Sequence, residues 1–283
     1  MKKTITGLLL AAVLLGFIFL TKVSQFFFDA IVLIVLFVAL YEMCKLGKDS
    51  GYNPTKIPLL IMAVAIFPAV YFFKAAGYLA VAGGGFILIF SFFIFDPKIT
   101  FKDFIYSVFI AIYPLLLLSL IFLIAHSTYF GILEIGMLPI LICISAAMFA
   151  DTFAFYFGSL IKGPKIFPKI SPKKTYAGCI AGLFGGAAGA LIIYALFEVL
   201  KLPLYMPLSF SYELKNPILF YALVGVLIAV ISEIGDLGAS RIKRELEIKD
   251  FSKILGSHGG IMDRLDSILF SLVPAAIITA FFV

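Results

Sequence analysis

Charge is scarce in this chain: only 13% of its 283 residues are Asp, Glu, Lys or Arg, against 63% hydrophobic residues and a mean hydropathy of +1.15. A soluble domain carries about a quarter charged residues, so the composition excludes that class and leaves a polytopic membrane protein. Cysteine is sparse too. Cys44, Cys143 and Cys179 stand in or at the ends of apolar runs, without paired spacing or nearby histidines, which argues against a disulfide framework or a zinc site. No Ser-His-Asp arrangement is visible in a chain with two histidines. Also missing is a small-x-small cleavage site around Thr21-Lys22-Val23-Ser24-Gln25, so the apolar run after Met1-Lys2-Lys3 reads as a retained first span. The net charge of +6 and pI near 9.1 are spread over short loops, as positive-inside bias requires, and nucleic acid is not an expected partner.

What is present is a series of apolar runs. Measured against the ~20 residues that cross a hydrocarbon core, they predict an all-α fold of about nine transmembrane helices. These fall near Ile5–Leu20, Phe26–Cys44, Ile57–Phe73, Tyr78–Phe95, Phe104–Ala125, Met137–Leu160, Gly178–Leu200, Pro217–Gly235 and Met262–Val283. With the N-terminus cytoplasmic and the C-terminus outside, only Lys22, Lys74, Lys201 and Lys215 of the 22 basic residues fall on the outer side. The expected location is a cell inner membrane, multi-pass, with the polar loops facing the cytoplasm. Residues 1–130 read as mainly structural spans. Residues 131–283 read as the catalytic region, with cytoplasmic loops at 161–177 and 236–261. Span seven carries Gly178, Gly182, Gly186 and Gly189 in a stripe with Gly185 beside it, which is read as a helix-packing face, as is the run Gly83-Gly84-Gly85.

Polar chemistry is concentrated between Ser240 and Asp266, which hold six of the 22 basic residues and one histidine. Asp263 and Asp266 are three residues apart, so a helix starting near Ile261 puts both carboxylates on one face, where they can share a hard cation. Gly256, Gly259 and Gly260 precede them, with backbone N–H groups at a helix start that suit an anion. The plainer reading makes Arg241/Glu245 and Lys243/Glu247 solvated i,i+4 pairs and the Gly-Gly a turn. Span eight adds Glu233 and Asp236 on one face near its end, and Asp236 is the one expected to join the carboxylate cluster. Asp151 lies within an apolar run, where ionisable groups mark polar cavities; the alternative is an interfacial aspartate paired with a loop lysine. After it come Ser171-Pro172-Lys173-Lys174-Thr175, two hydroxyls and two ammonium groups around a backbone-fixing proline. This segment reads equally as a phosphate cradle and as lysines placed by topology.

Two of these segments resemble a known family. The pattern S-x-I-K-R-x4-K-D-x7-H-G-G-x2-D-R-x-D, matched by Ser240, Lys243, Arg244, Lys249, Asp250, His258, Gly259, Gly260, Asp263, Arg264 and Asp266, resembles the signature of the phosphatidate cytidylyltransferases, or CDP-diacylglycerol synthases. D-x2-A-x-Y-x-G from Asp151 and S-P-x-K-T from Ser171 resemble the second conserved region of that family. The chain departs from it at Tyr176-Ala177-Gly178, where the family usually has Glu or Gln before the glycine.

The resemblance implies transfer of a cytidylyl group from CTP to phosphatidic acid, giving CDP-diacylglycerol and pyrophosphate in phospholipid biosynthesis. On that reading Asp236, Asp263 and Asp266 hold Mg²⁺ (Mn²⁺ is the alternative), with Asp151 beside them. Lys243, Arg244, Lys249 and Arg264 neutralise phosphate charge, His258 donates to a phosphate, and Asp151, Ser171, Lys173, Lys174, Thr175, Ser240, Gly259 and Gly260 bind substrate. Expected partners are membrane lipid and the two substrates, and the glycine-striped span is compatible with a homodimer. Two alternatives stay open. A CTP-dependent lipid kinase, or a cytidylyltransferase for another lipid phosphate, would use similar residues. An anionic-solute transporter would also use an intramembrane aspartate, but its polar residues should lie near the midplane of both halves.

Overall fold

The computed structural model describes residues 25–126, 128–129, 133–134, 137–200, 215–256 and 259–281. The first expected span, Ile5–Leu20, and His258 lie outside the described residues. Among the described residues every apolar run from Phe26 onward falls on helix, and six helices are long and apolar enough to cross a membrane.

Helix α1 is Gln25–Asp49 and α2 is Lys56–Phe95. A straight helix of 40 residues would be about 60 Å long, twice a hydrocarbon core. It does not stay straight: Lys74 adopts φ 51° and ψ −130°, which breaks the helix. Gly85 then packs against Met62, and Gly77 against the Ala69 carbonyl, so the two arms fold back on each other as the spans predicted at Ile57–Phe73 and Tyr78–Phe95. The Gly83-Gly84-Gly85 packing expectation holds only for Gly85, since a Cβ at Gly83 or Gly84 would meet nothing within 4 Å.

Thr100 starts the next span with a capping box, its hydroxyl accepting from the Asp103 N–H at 3.3 Å while Asp103 accepts from the Thr100 N–H at 2.9 Å. The span runs through α3 (Phe101–Ile110), a π-helical turn (Ala111–Leu116) and α4 (Leu117–Ala125). Pro114 sits in the π turn, where the wider backbone accommodates a residue without an N–H. A two-residue hairpin, β1 (Thr128–Tyr129) with β2 (Leu133–Glu134), leads to α5 (Met137–Ile161). Then come α6 (Tyr176–Tyr194, ending in a second π turn, Ala195–Val199), α7 (Pro217–Glu245) and α8 (Met262–Phe281). Asn216 caps α7 through the Leu219 N–H at 3.1 Å, and Pro217 occupies the first helical position.

The glycine stripe packs α6 between its neighbours. Cβ atoms at Gly178, Gly185 and Gly189 would lie 2.5–2.8 Å from carbonyl oxygens of Ala154, Phe149 and Ser145 on α5, and one at Gly186 would collide with the Gly225 carbonyl of α7. Small residues thus bring three backbones together at the centre of the second half. Large apolar side chains such as Phe72, Phe95, Ile112, Leu160, Phe184 and Leu223 remain exposed on the outside, where lipid replaces water.

The two ends of the bundle differ. At one end the buried His126 ring meets Asp29 at 3.1 Å, and Lys74 donates to the His126 carbonyl at 2.8 Å. At the other, Asn53 N–H donates to Asp103 at 2.6 Å and Tyr52 stacks on Tyr106. The loop segments 162–175, 246–256 and 259–261 are at this second end.

Candidate active site

The loop after α7 is built backward from the start of α8. A helix N-terminus leaves backbone N–H groups unpaired, and at membrane depth water is a poor substitute for a partner. Glu42 of α1 supplies that partner. Its carboxylate, 1% exposed, accepts from the Ile261 and Met262 N–H groups at 2.9 Å each and from the Ser252 hydroxyl at 2.6 Å. Gly260 is required by this approach, because a Cβ there would lie 2.7 Å from both Glu42 oxygens. Gly259, at φ +79°, turns the chain into the helix in a conformation that favours glycine.

Asp263 completes the turn. Its Oδ2 accepts from the Phe251 N–H at 2.8 Å and the Gly260 N–H at 3.0 Å, while its Oδ1 accepts from Lys243 Nζ at 2.9 Å. The anion site expected at the glycines is therefore already filled: Asp263 takes the Gly260 N–H, Glu42 takes those of Ile261 and Met262, and the Gly256 and Gly259 N–H groups bond the Lys253 and Gly256 carbonyls.

Lys243 is held between helices. It reaches Asp263, comes within 3.6 Å of Asp266, and lies 4.9 Å above the Phe251 ring. The i,i+4 reading thus holds for Arg241, which pairs with Glu245, whereas Lys243 turns inward. Asp266 is buried, with Oδ1 accepting from the Ser267 N–H at 2.9 Å. The Ser267 hydroxyl donates to Asp151 of α5 at 3.3 Å, and Asp151, Asp236 and Asp266 act on one another electrostatically.

A second lysine closes the cluster from the other side. The loop 162–175 folds back on itself, with Tyr176 N–H bonded to the Pro164 carbonyl and Ile166 N–H to that of Lys174. This aims Lys174 at α7, 2.7 Å from Asp236 and 3.2 Å from Glu233. Burial pushes the Lys174 ammonium down, but the Asp236 and Glu233 carboxylates outweigh it, and the net shift is upward. Lys174 therefore stays charged. Glu233 also accepts from the Cys179 thiol at 3.1 Å, and the missing side chain at Gly182 leaves room for its Oε1. It shares Lys174 with Asp236, so pairing with a lysine does not separate the two acids.

The cradle expected from Ser171 to Thr175 divides. Thr175 is the N-cap of α6, its hydroxyl accepting from the Gly178 N–H at 3.1 Å. Lys174 joins the acids, Lys173 is exposed, and Ser171 is partly buried in the loop turn. Arg244, Lys249 and Arg264 are exposed at the same end, and Ser240 is partly buried on α7. Sequence reasoning missed Glu42, although a lone glutamate in the apolar run Phe26–Cys44 was the available signal.

The donor chemistry fits a hard divalent cation. All the candidate ligands are carboxylate oxygens, and two ammonium groups already sit on them as stand-in cations. Among the described residues, however, no three acidic, thiol or imidazole side chains converge as a ready-made metal cage.

Compared with known proteins, residues 1–282 match the cytidylyltransferase family. A phosphatidate cytidylyltransferase of Bacillus subtilis is 28% identical over 274 residues, covering 95% of this chain and 93% of the relative. One of Mycobacterium bovis is 32% identical over 286 residues, covering 96% and 84%. One of Aquifex aeolicus is 35% identical over 171 residues, covering 60% and 55%.

Proposed function

The chain belongs to the cytidylyltransferase family, and we propose that it makes CDP-diacylglycerol and pyrophosphate from CTP and phosphatidic acid, for phospholipid synthesis. A phosphate-monoester oxygen of the lipid attacks the α-phosphorus of CTP in line. The bond from that phosphorus to the bridging oxygen of the β-phosphate breaks, and pyrophosphate leaves. The observation that carries the reading is the set of acids, Asp151, Asp236, Asp263 and Asp266, threaded with Lys174 and Lys243 at one end of an apolar bundle. There a phosphate anchored in the bilayer and a nucleotide from water can meet.

Two anions must be brought together, so the demand is for cations and positioning rather than for a protein nucleophile. Asp236, Asp263 and Asp266, with Asp151 beside them, would hold Mg²⁺, which when bound neutralises the triphosphate and polarises the phosphorus under attack. Lys174 and Lys243 come from different helices and loops, are fixed by the acids they contact, and supply positive charge inside the site. Arg244, Lys249, Arg264 and Lys173, exposed around the opening, screen incoming phosphate charge. Asp263 fixes the loop to α8 while keeping Lys243 in place. The excess of basic residues in the loops at this end supports the reading that it faces the cytoplasm.

Purified protein given CTP labelled at the α-phosphorus, phosphatidate and Mg²⁺ should yield labelled lipid and free pyrophosphate, and chelation should stop the reaction. Label transferred from the γ position instead would make it a kinase, and solute uptake without turnover would make it a transporter.

A further inference from the structure

Tyr113 has no part in the arrangement described so far. It comes from the first half of the chain, on the π-helical turn Ala111–Leu116, and is 4% exposed. Its hydroxyl is buried without a hydrogen-bond partner, which among the described side chains it shares only with Thr55 and Ser232. Such a group is unfavourable in any protein interior, and more so at membrane depth, unless a ligand completes it.

The ring is held firmly. It stacks on Phe109 with centroids 5.3 Å apart and meets Phe270 at 6.1 Å. Phe270 lies one helical turn beyond Asp266 on α8, so Tyr113 stands on the bundle-interior side of the carboxylates. The charged groups that act on its hydroxyl are Asp266, Asp236 and Asp263, in that order. A tyrosine hydroxyl is a hydrogen-bond donor. Tyr113 sits in a π turn in which the Leu117 N–H bonds back to the Ile112 carbonyl, and Ala111, Tyr113, Pro114 and Leu115 are all buried there.

We infer that the Tyr113 hydroxyl donates a hydrogen bond to a non-bridging oxygen of the lipid phosphate, holding it from the membrane side for attack on the nucleotide. This rests on the cytidylyl-transfer reading above. Depth selects the lipid over the nucleotide: Tyr113 packs on Phe270, one helical turn deeper than Asp266 and farther from the loop end, where only a bilayer-anchored phosphate has reason to reach. The tyrosine transfers no proton; it orients an oxygen that is already nucleophilic.

Tyr113→Phe removes the hydroxyl and keeps the contacts with Phe109 and Phe270. In the full chain in nanodiscs, kcat/KM for dioctanoyl phosphatidate should fall roughly ten- to a hundredfold, the worth of one hydrogen bond to a charged group. At saturating phosphatidate, kcat/KM for CTP should change less than about threefold. Dioctanoyl phosphatidate should also raise Tm less in the variant than in the wild type. Unchanged phosphatidate kinetics, an equal fall in both specificity constants, or an equal Tm rise overturns the assignment. A wild type that makes no CDP-lipid refutes the function while the Tm comparison still judges Tyr113, and a wild type that is also not stabilised by phosphatidate refutes both.

Discussion

Glu42→Gln tests whether the first half of the chain builds the site in the second. Glu42 places one oxygen between Ser252 and the Ile261 N–H, at 2.6 and 2.9 Å, and the other on the Met262 N–H at 2.9 Å. A glutamine in the same rotamer keeps one oxygen. If it serves Ser252 and Ile261, an amide NH₂ faces the Met262 N–H, donor against donor, and the two retained bonds lose their charge assistance. If the amide flips, its NH₂ faces the Ile261 N–H, donor against donor, and Ser252 must turn from donating to accepting. A charge-assisted bond contributes about 1.5–3 kcal/mol and an orphaned buried donor costs about 1–3 kcal/mol, so the net loss should be about 2–4 kcal/mol. It falls on the first turn of α8, which carries Asp263 and leads into Asp266. Thermal unfolding of the purified protein should drop by several degrees, and labelled-lipid formation should fall about ten- to a hundredfold, as the competent loop becomes a minority state. Ser252→Ala removes one partner of the same carboxylate, so the double variant should show a coupling of about 0.5–3 kcal/mol. Wild-type turnover and Tm in Glu42→Gln, or strict additivity with Ser252→Ala, would refute the claim that Glu42 organises the loop.

Asp263→Asn should lower both turnover and stability, by about 2–4 kcal/mol, because one amide oxygen cannot accept from Phe251, Gly260 and Lys243 together. Asp266→Asn should lose turnover with a smaller drop in Tm, and parallel melting and label-transfer assays separate the two. Lys174→Gln should lower Tm at neutral pH by leaving Asp236 and Glu233 without their cation. Since the folded Lys174 has a raised pKa, its contribution is fully present below the unfolded value of about 10.4 and is lost as pH rises through the folded value. The Tm gap between wild type and Lys174→Gln should therefore stay level from about pH 6 to 9 and shrink only above about pH 10.4. Gly185→Ala should prevent accumulation of folded protein, since its Cβ would sit 2.5 Å from the Phe149 carbonyl oxygen, while Gly83→Ala should be tolerated; detergent-solubilised yield and monodispersity report both.

The helices were legible in the sequence because a bilayer demands long apolar runs and leaves few alternatives to helix. The fold-back of α2 was legible as two runs separated at Lys74, since one run would overshoot the membrane. Pairings were not legible. Lys243 was a candidate partner for Glu247 at helical spacing, yet it bonds Asp263, twenty positions away, because an ammonium at the inner wall of α7 needs a carboxylate within the bundle. Gly83 and Gly84 looked like Gly85, but which glycine meets Met62 depends on the rotation of one arm against the other, and an arm apolar on all sides does not reveal its rotation. Glu42 and Tyr113 went unread for a related reason. Neither belongs to a spacing motif, and the partners that give them meaning lie 210 to 220 positions away for Glu42 and on α8 for Tyr113.

The acids around the loop end differ in what they hold. Asp103 and Glu42 accept from backbone N–H groups of loops and helix starts, donors that cannot leave without unmaking the turn, and so these carboxylates are committed to structure. Asp236 and Asp266 face lysine ammonium groups on flexible side chains, and a stronger cation or a phosphate can compete for those. Asp263 belongs to both kinds, with Oδ2 on two N–H groups and Oδ1 on Lys243. It therefore couples the shape of the loop to the charge in the site: whatever draws Lys243 toward a phosphate changes the charge balance on the same carboxylate that pins Phe251 and Gly260. That coupling needs the loop, α7, α8 and the Glu42 anchor of α1 together, which is why the chemistry cannot be assigned to the second half of the chain alone.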